Sequence, residues 1–466
     1  MMDVKLRLTQ SAHQELRTHL FPGDGLEAVA LALCGRRRSS QRHCLTVRDI
    51  IPIPYDECKA RTPLKVTWST RRLIPLLEIA EKRDLAILKV HSHPTGYQRF
   101  SDIDDESDAD LFNSVFGWTD SVYPHASAVM LPDGRMFGRA IMRNGSFQPL
   151  ASIAIPGADL KIWTSQDDTA IPSFAQRHAQ MFGVGTTRRL RAMSVAVVGC
   201  SGTGSPVIEQ LARLGVGRLV IVDPDRVEDK NLNRILNSTR EDAYLRRPKV
   251  ESVARAIAAM GFGTELEIIA DDLATPRAIK AVAECDVVFG CMDGVEGRHL
   301  LNRLAAFYLL PYFDLGVKLE ADGNGGVDEA CGAVHYLRPD GSTLQDRNVY
   351  GPEQLKAAGL RRTDPQAYRA QVKAGYIHGI DEDRPAVISI NMQIASIAIN
   401  EFLARLHPYR YDDNADSAIV RLSFIQPATY REREPDASGY FHRHLGKGDV
   451  SPLLSMPDLT EPEDLA

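Results

Sequence analysis

Two histidines one residue apart, His91 and His93, are followed by Pro94 and then by Ser101 and Asp104. On an extended segment alternate side chains point the same way, so both imidazoles can reach one ion. Ser101 would open a helix, with Asp104 in its first turn facing back toward the histidines. Three protein ligands leave the fourth tetrahedral position of Zn2+ to water, the arrangement of a catalytic rather than a structural site. Such an ion acidifies its water and polarises a carbonyl. A carboxylate must then carry the proton to the leaving amine. Glu27, shortly after Gly25, fits that task best, with Glu15 as the alternative. Ser101 is a candidate stabiliser of the oxyanion. Ser101-x-x-Asp104 is equally the pattern of a helix cap.

About a hundred residues later, Val195-Ala-Val-Val leads into Gly199-Cys-Ser-Gly202-Thr-Gly204. A glycine loop between a strand and a helix presents backbone amides to phosphate. Position 201 is serine where the dinucleotide template needs glycine, which counts against NAD. Asp223 and Asp225 follow a second apolar run, where an acid can bind a ribose hydroxyl. Asn231, Arg234 and Lys249 add polar and cationic groups, and Asp293 offers a carboxylate to Mg2+. Together they suit the stabilisation of charge on ATP during nucleotidyl transfer.

The elements that must position these groups are legible in outline. In residues 1–150, apolar runs at 27–35 and 85–91 read as strands, with a helix over 70–82 between them and a later strand over 134–142. Residues 151–172, with Pro156-Gly157 and Gln166-Asp-Asp, read as a linker. Residues 173–410 alternate strands (194–199, 218–223, 286–290) with helices (205–214, 249–260, 297–308), which predicts a mostly parallel sheet. An apolar helix over 388–406 closes this domain. The segment 340–385 reads as a polar loop with a short helix, and 411–466 as a loosely structured extension with an acidic tail.

The chain has 466 residues, 44% of them apolar and 25% charged, enough for two to four domains. Its net charge of -6 gives no whole-chain argument for nucleic acid. No run of about 18 apolar residues predicts a membrane span, and no signal core is evident. Cys34, Cys44, Cys58, Cys200, Cys285, Cys291 and Cys331 are odd in number and never spaced Cys-x-x-Cys. That argues against a disulfide framework or a cysteine-pair zinc site and predicts a reducing, cytoplasmic setting.

The first motif resembles the JAB/MPN zinc isopeptidases: an upstream Glu, His-x-His-Pro, six residues, Ser, two residues, Asp. The second resembles the ThiF/MoeB/ubiquitin-activating adenylyltransferases, with the glycine loop, Asp-x-Asp, Asn-Leu-Asn-Arg, Pro-Lys and a later Asp. The resemblance implies a JAB/MPN-like α/β metallohydrolase domain followed by a Rossmann-like adenylating domain and a C-terminal extension. By resemblance His91, His93 and Asp104 hold zinc. Asp223 holds the ribose, Asn231, Arg234 and Lys249 hold phosphates, and Asp293 holds magnesium. Arg177 is similar to an arginine that completes the neighbouring subunit's ATP site, which implies a homodimer. The implied partner is a ubiquitin-like or sulfur-carrier β-grasp protein with a C-terminal glycine. That glycine would be adenylated by one domain, and the modifier trimmed or removed by the other. A conjugating enzyme or a sulfurtransferase would act downstream. Cys331 is the candidate nucleophile for a thioester, since residues 340–466 contain no cysteine. Activation of a sulfur carrier without conjugation, and a non-catalytic scaffold that binds modifier tails, are the alternatives.

Overall fold

A computed structural model describes residues 2–165, 170–373 and 385–460. The chain divides into two compact units: residues 1–168 with 306–309 and 444–466, and residues 169–305 with 310–443. The acidic tail at 461–466 and the stretch 374–384 of the expected polar loop lie outside the described residues.

The first unit is built on β1 (Asp3–Arg7), β2 (Val29–Arg37), β3 (Arg42–Pro52), β4 (Cys58–Thr62), β5 (Lys65–Trp68) and β6 (Ala86–Ser92). Five further strands follow: β7 (His125–Met130), β8 (Met136–Ile141), β9 (Phe147–Pro149), β10 (Ser152–Pro156) and β11 (Leu160–Thr164). Nine of them form one mixed sheet in the order β11-β10-β1-β3-β2-β6-β7-β8-β9, while β4 and β5 pair separately. Three helices pack on it: α1 (Gln10–Leu20), α2 (Ile74–Arg83) and α3 (Asp102–Thr119).

The period of two along β2 divides the core. Ala28, Ala30, Ala32 and Cys34 join Leu16 and Leu20 of α1 on one face. Val29, Leu31 and Leu33 join Leu77 of α2 and Phe112 and Val115 of α3 on the other. Along β6, Ala86, Leu88 and Val90 face α1, whereas Ile87 faces α2 and α3. By this alternation Lys89 and His91 lie on the α3 face.

Residues 152–164, expected within a linker, are instead strands. β10 pairs in parallel with β1, and β11 returns antiparallel beside it. Pro156-Gly157 is therefore a hairpin turn, and burial of Ile153, Ile155, Leu160 and Ile162 secures the hairpin to the sheet. Residues 444–460 are also not loose. Thr46 donates to the Gly446 carbonyl at 2.9 Å, the Asp449 amide donates to Arg36 at 2.6 Å, and the Tyr308 hydroxyl donates to the Asp449 carboxylate at 2.7 Å.

The second unit alternates α4 (Gln176–Ala192), β12 (Ser194–Val198), α5 (Gly204–Arg213), β13 (Arg218–Val222), α6 (Arg240–Tyr244), α7 (Lys249–Met260) and β14 (Glu265–Ile269). It continues with α8 (Pro276–Ala283), β15 (Val287–Gly290), α9 (Val295–Tyr308), β16 (Tyr312–Ala321) and β17 (Val327–Leu337). Then come α10 (Pro352–Thr363), α11 (Pro365–Lys373), α12 (Ile388–Leu406), β18 (Ile419–Ser423) and β19 (Ala428–Glu432). The sheet order is β14-β13-β12-β15-β16-β17-β18-β19. The first five strands are parallel and the last three antiparallel. β18 and β19 thus continue the sheet into the expected extension. Among its described residues the polar segment carries two helices, α10 and α11, rather than one.

From β12 the chain runs outward through β13 and β14, then returns to place β15 on the other side. In open α/β sheets a crevice opens outside the carboxyl ends of the strands at such a reversal. The glycine loop follows β12, and Cys291-Met292-Asp293 follows β15.

Candidate functional site

In the first unit Val29 pairs with His91, and the pairing continues as Ser92 donates its amide to the Ala28 carbonyl at 3.0 Å. Extending that register brings Glu27 opposite His93, on the α3 face. Glu15 is exposed on α1, the helix of the opposite face, and is set apart from the histidines.

α3 opens with a reciprocal cap. The Ser101 hydroxyl accepts from the Asp104 amide at 3.2 Å, while the Asp104 Oδ2 accepts from the Ser101 amide at 2.8 Å and its hydroxyl at 2.7 Å. The cap and the metal reading are therefore compatible: capping holds Oδ2 and aims Oδ1 at His91, 3.0 Å from its Nε2. The two imidazole Nε2 atoms lie 3.2 Å apart, and His93 Nε2 is 3.5 Å from Asp104 Oδ2. A tetrahedral ion with bonds of about 2.0–2.1 Å separates neighbouring ligand atoms by roughly 3.3 Å. These three buried side chains thus have the spacing a zinc ion requires.

His93 Nδ1 lies 2.7 Å from the Tyr97 carbonyl, which can only accept, so Nδ1 carries the proton and Nε2 keeps its lone pair for a metal. Burial opposes ionisation of Asp104, but the adjoining His91 and His93 imidazoles and the Ser101 amide outweigh it and hold the carboxyl well below the usual range. Glu27 is buried, and burial pushes its carboxyl up to about 7, with His93 opposing and Asp104 adding to the rise. A base poised near neutrality suits proton transfer. Ser101, as placed, donates its hydroxyl to Asp104, so a role at an oxyanion requires that bond to break.

Sequence reasoning missed the network behind α3. Lys89 Nζ lies 2.6 Å from the fully buried Asp108, and Arg139 donates to the other oxygen of Asp108 at 2.8 Å. Arg139 also pairs with Asp105 and donates to the Asp104 carbonyl at 3.1 Å. It ties the first turn of α3 to β8. No local pattern announces it, because Arg139 is 31 to 35 residues from its partners.

In the second unit a cleft of about 3,220 Å³ brings together the glycine loop, Asp223, Asp225, Asn231, Arg234, Lys249 and Asp293. Gly199 adopts φ +94°, and a Cβ there would stand 2.7 Å from the Cys291 carbonyl. A Cβ on Gly204 would collide with the Gly199 carbonyl, and one on Gly202 with the Asn391 amide. The glycines therefore let the loop close onto β15 and α12.

Asp223 accepts the Cys200 amide at 2.6 Å and the Asp225 amide at 2.9 Å. Burial pushes its carboxyl up, with Lys249 and these amides opposing. Lys249 Nζ sits 2.7 Å from Asp225 and 4.0 Å from Asp223. Arg234 is braced on the Lys230 carbonyl at 2.7 Å, and Asn231 is buried. Asp293 is exposed at the cleft. Two lining groups were not anticipated: Arg298, whose Nε is 3.2 Å from Asp314, and Asp314 itself, which accepts the Tyr312 hydroxyl at 2.7 Å. Asp314 lies within β16, where an acid amid apolar residues is a readable anomaly.

Cys331 also lines the cleft, but on β17 rather than on a loop. Its thiol donates to Glu329 at 3.2 Å, and burial followed by that carboxylate pushes it up. It is held as a thiol, not activated as a thiolate. Cys200, Cys285 and Cys291 are buried packing residues. Arg177 is exposed in the first turn of α4.

A first unit carrying a His-x-His set and a second with a glycine loop at a sheet reversal define a two-part class of α/β protein. The ThiF family matches residues 175–429, more than half of the chain, and the chain belongs to that family. Its first unit carries a domain of the prokaryotic homologs of the JAB domain, matched over residues 9–142. The SAMP-activating enzyme E1 of Haloferax volcanii is 35% identical over 179 residues, covering 38% of this chain and 62% of that protein. The adenylyltransferase and sulfurtransferase UBA4 of Yarrowia lipolytica is 29% identical over 206 residues, covering 40% and 50%. The adenylyltransferase and sulfurtransferase MOCS3 of Mus musculus is 40% identical over 121 residues, covering 26% of each. The chain therefore spans between about a quarter and three fifths of these relatives. Among the described residues no helix is long and apolar enough to cross a membrane.

Proposed function

We propose that this chain is a bifunctional enzyme acting on a ubiquitin-like or sulfur-carrier protein. The second unit adenylates the C-terminal glycine of that protein with ATP, and the first unit hydrolyses bonds after the same glycine. The observation that carries the reading is the presence in one chain of a ThiF cleft and a His91–His93–Asp104 set at zinc spacing. The names of the relatives, an activating enzyme and two adenylyltransferases, support the first half.

In adenylation the glycine carboxylate attacks the α-phosphorus of ATP, the bond to the β-phosphate oxygen breaks, and pyrophosphate leaves. The glycine loop and Asn231 bind the phosphates, and Asp223 binds the ribose. Arg234 and Lys249 neutralise the charge that develops, Lys249 by exchanging Asp225 for phosphate. Asp293 is the carboxylate for magnesium, which shields phosphate charge when bound.

In hydrolysis His91, His93 and Asp104 hold zinc, which supplies a Lewis acid and an acidified water when bound. Glu27 takes the proton and returns it to the leaving amine. The test is two assays on one preparation: ATP–pyrophosphate exchange with a glycine-tailed β-grasp protein, and cleavage of a fusion to that tail. Both are expected. Failure of either removes that half of the reading.

Within this reading, delivery to an external thiol or persulfide, as in sulfur-carrier activation, is favoured over a thioester on this chain. The strand setting of Cys331 and its raised pKa support that preference. We also propose a homodimer in which Arg177 completes the partner's site. Arg177→Ala and Asp293→Ala are each expected to lose exchange, and mixing them to restore it. If shown heterodimers stay inactive, Arg177 has no role across the dimer.

A further inference from the structure

Beside the His91–His93–Asp104 set the first unit holds a second, smaller cavity of about 400 Å³. Phe100, Phe137, Phe147, Leu150, Ile153 and Trp163 line it. It adjoins the metal-ligating rings: the Phe100 ring is 6.4 Å from His91 and 5.3 Å from Phe137, which is itself 6.2 Å from His93. Arg139 forms part of the wall, yet adds little free charge. Its guanidinium carbon lies 3.9 Å from the ring centres of both Phe100 and Phe147, and its nitrogens are occupied by Asp105, Asp108 and the Asp104 carbonyl. The wall is thus a stacked aromatic–guanidinium–aromatic layer, held in place by the same ion pairs that fix α3. Phe147, Leu150, Ile153 and Trp163, four of the six apolar side chains named above, lie after the end of the JAB match at 142. The β10–β11 hairpin supplies Ile153 and Trp163, so this part of the wall lies beyond the stretch matched to the JAB domain.

We propose that this cavity is a specificity pocket for one large apolar side chain, such as leucine or phenylalanine, on the peptide tail whose bond the first unit cleaves. The inference rests on the hydrolase reading above. An extended chain advances about 3.4 Å per residue. Two glycines before the scissile bond therefore place the next side chain roughly 7–10 Å from the scissile carbonyl, by the same spacing. The glycines offer no side chain, so the residue preceding them is the first that can be read. The near wall of the pocket stands about one ring beyond the metal ligands, within reach of that residue. Hydrophobic pockets discriminate by size, typically about tenfold or more between large and small occupants.

The test uses the zinc-loaded full chain and peptides acetyl-X-Gly-Gly-aminomethylcoumarin, with X as leucine, phenylalanine, alanine or aspartate. The expected result is kcat/KM about tenfold or more higher for leucine or phenylalanine than for alanine, with aspartate lowest. Trp163→Ala, which empties the hairpin wall, should bring the leucine-to-alanine ratio near one. Thr164→Trp, which fills the pocket from its rim, should do the same without removing a packed side chain. Zinc content reports whether each variant has folded. No preference at X, or a preference that survives both variants with zinc retained, overturns the proposal. If the zinc-loaded wild type cleaves none of the peptides, the hydrolase reading fails, and calorimetric binding of acetyl-X-Gly-Gly-amide to the metal-free chain then decides the pocket. Leucine binding about tenfold tighter than alanine, lost in Thr164→Trp, sustains the pocket. Equal or absent binding overturns it.

Discussion

In the first unit the buried side chains of His91, His93 and Asp104 approach one another at 3.0–3.5 Å, set by one strand end and one capped helix. In the second, the charged groups named above are spread from Asp223 to Asp293 around an open cleft, and several already have partners, Lys249 on Asp225 among them. Under the proposed function, one site is assembled before its ion arrives and the other needs its ligand to rearrange the charges. The difference matches what each is proposed to hold. A single ion demands convergence within a few ångströms, whereas a nucleotide and a protein tail demand room.

The comparison breaks most visibly if the two sites depend on each other. His91→Ala or Asp104→Ala should remove zinc and lower cleavage of a glycine-tailed fusion at least about a thousandfold, since Lewis acid and activated water go with the ion. ATP–pyrophosphate exchange should stay within about twofold of wild type, as no residue of the cleft is touched. Asp293→Ala should give the reverse pattern. Loss of both activities in either variant would show that the sites are coupled.

A narrower cut separates holding the ion from moving the proton. Glu27→Gln keeps size and removes only the base, so zinc content should be retained while cleavage falls about 10²–10⁴-fold. Wild-type cleavage by this variant would place the base elsewhere, and the exposure of Glu15 on the opposite face argues against it as the replacement.

The same contrast explains what could be read from the sequence. His91, His93, Ser101 and Asp104 lie within fourteen residues, where strand alternation and helix-cap chemistry act locally. Glu27 was reachable because an apolar strand pattern starts beside it. The parallel core of the second unit was legible from alternating apolar runs. The β10–β11 hairpin was not, because Pro156-Gly157 carries the same signal in a linker as in a tight turn. Its strands, Ser152–Pro156 and Leu160–Thr164, are short, and only the pairing of β10 with β1 across about 150 residues shows the place of the hairpin. Residues 444–460 failed for the same reason. Their hydrogen bonds run to Arg36 and Thr46, some 400 positions earlier, and no local pattern encodes such partners.

Arg139 tests whether the closed site depends on that long-range support. Arg139→Met keeps an unbranched apolar stem between Phe100 and Phe147 but releases Asp105, Asp108 and the Asp104 carbonyl. Groups that orient metal ligands from behind typically contribute 10–100-fold to affinity. Chelator competition should therefore show zinc binding weakened by about that factor, with exchange in the second unit unaffected. Unchanged zinc affinity would mean that the Ser101 cap alone orients Asp104.

The smallest effect is expected at the residue that chemistry singles out first, the half-exposed Cys331 thiol of the open cleft. Adenylation needs no cysteine, because the glycine carboxylate attacks phosphorus directly, so Cys331→Ala should leave pyrophosphate exchange near wild type. A thioester would need a thiolate, and Cys331 is disfavoured twice: burial raises its pKa, and Glu329, 3.2 Å away, adds a negative charge where the thiolate would form. Its strand, paired on both sides through Lys318 and Ser423, also leaves the backbone no loop on which to swing toward an adenylate. Enzyme, ATP and modifier should thus give no reductant-sensitive adduct on this chain. A dithiothreitol-labile adduct that vanishes in Cys331→Ala would reverse this. The open cleft would then rearrange its protein as well as its charges, with Glu329 leaving the thiol when the tail is bound.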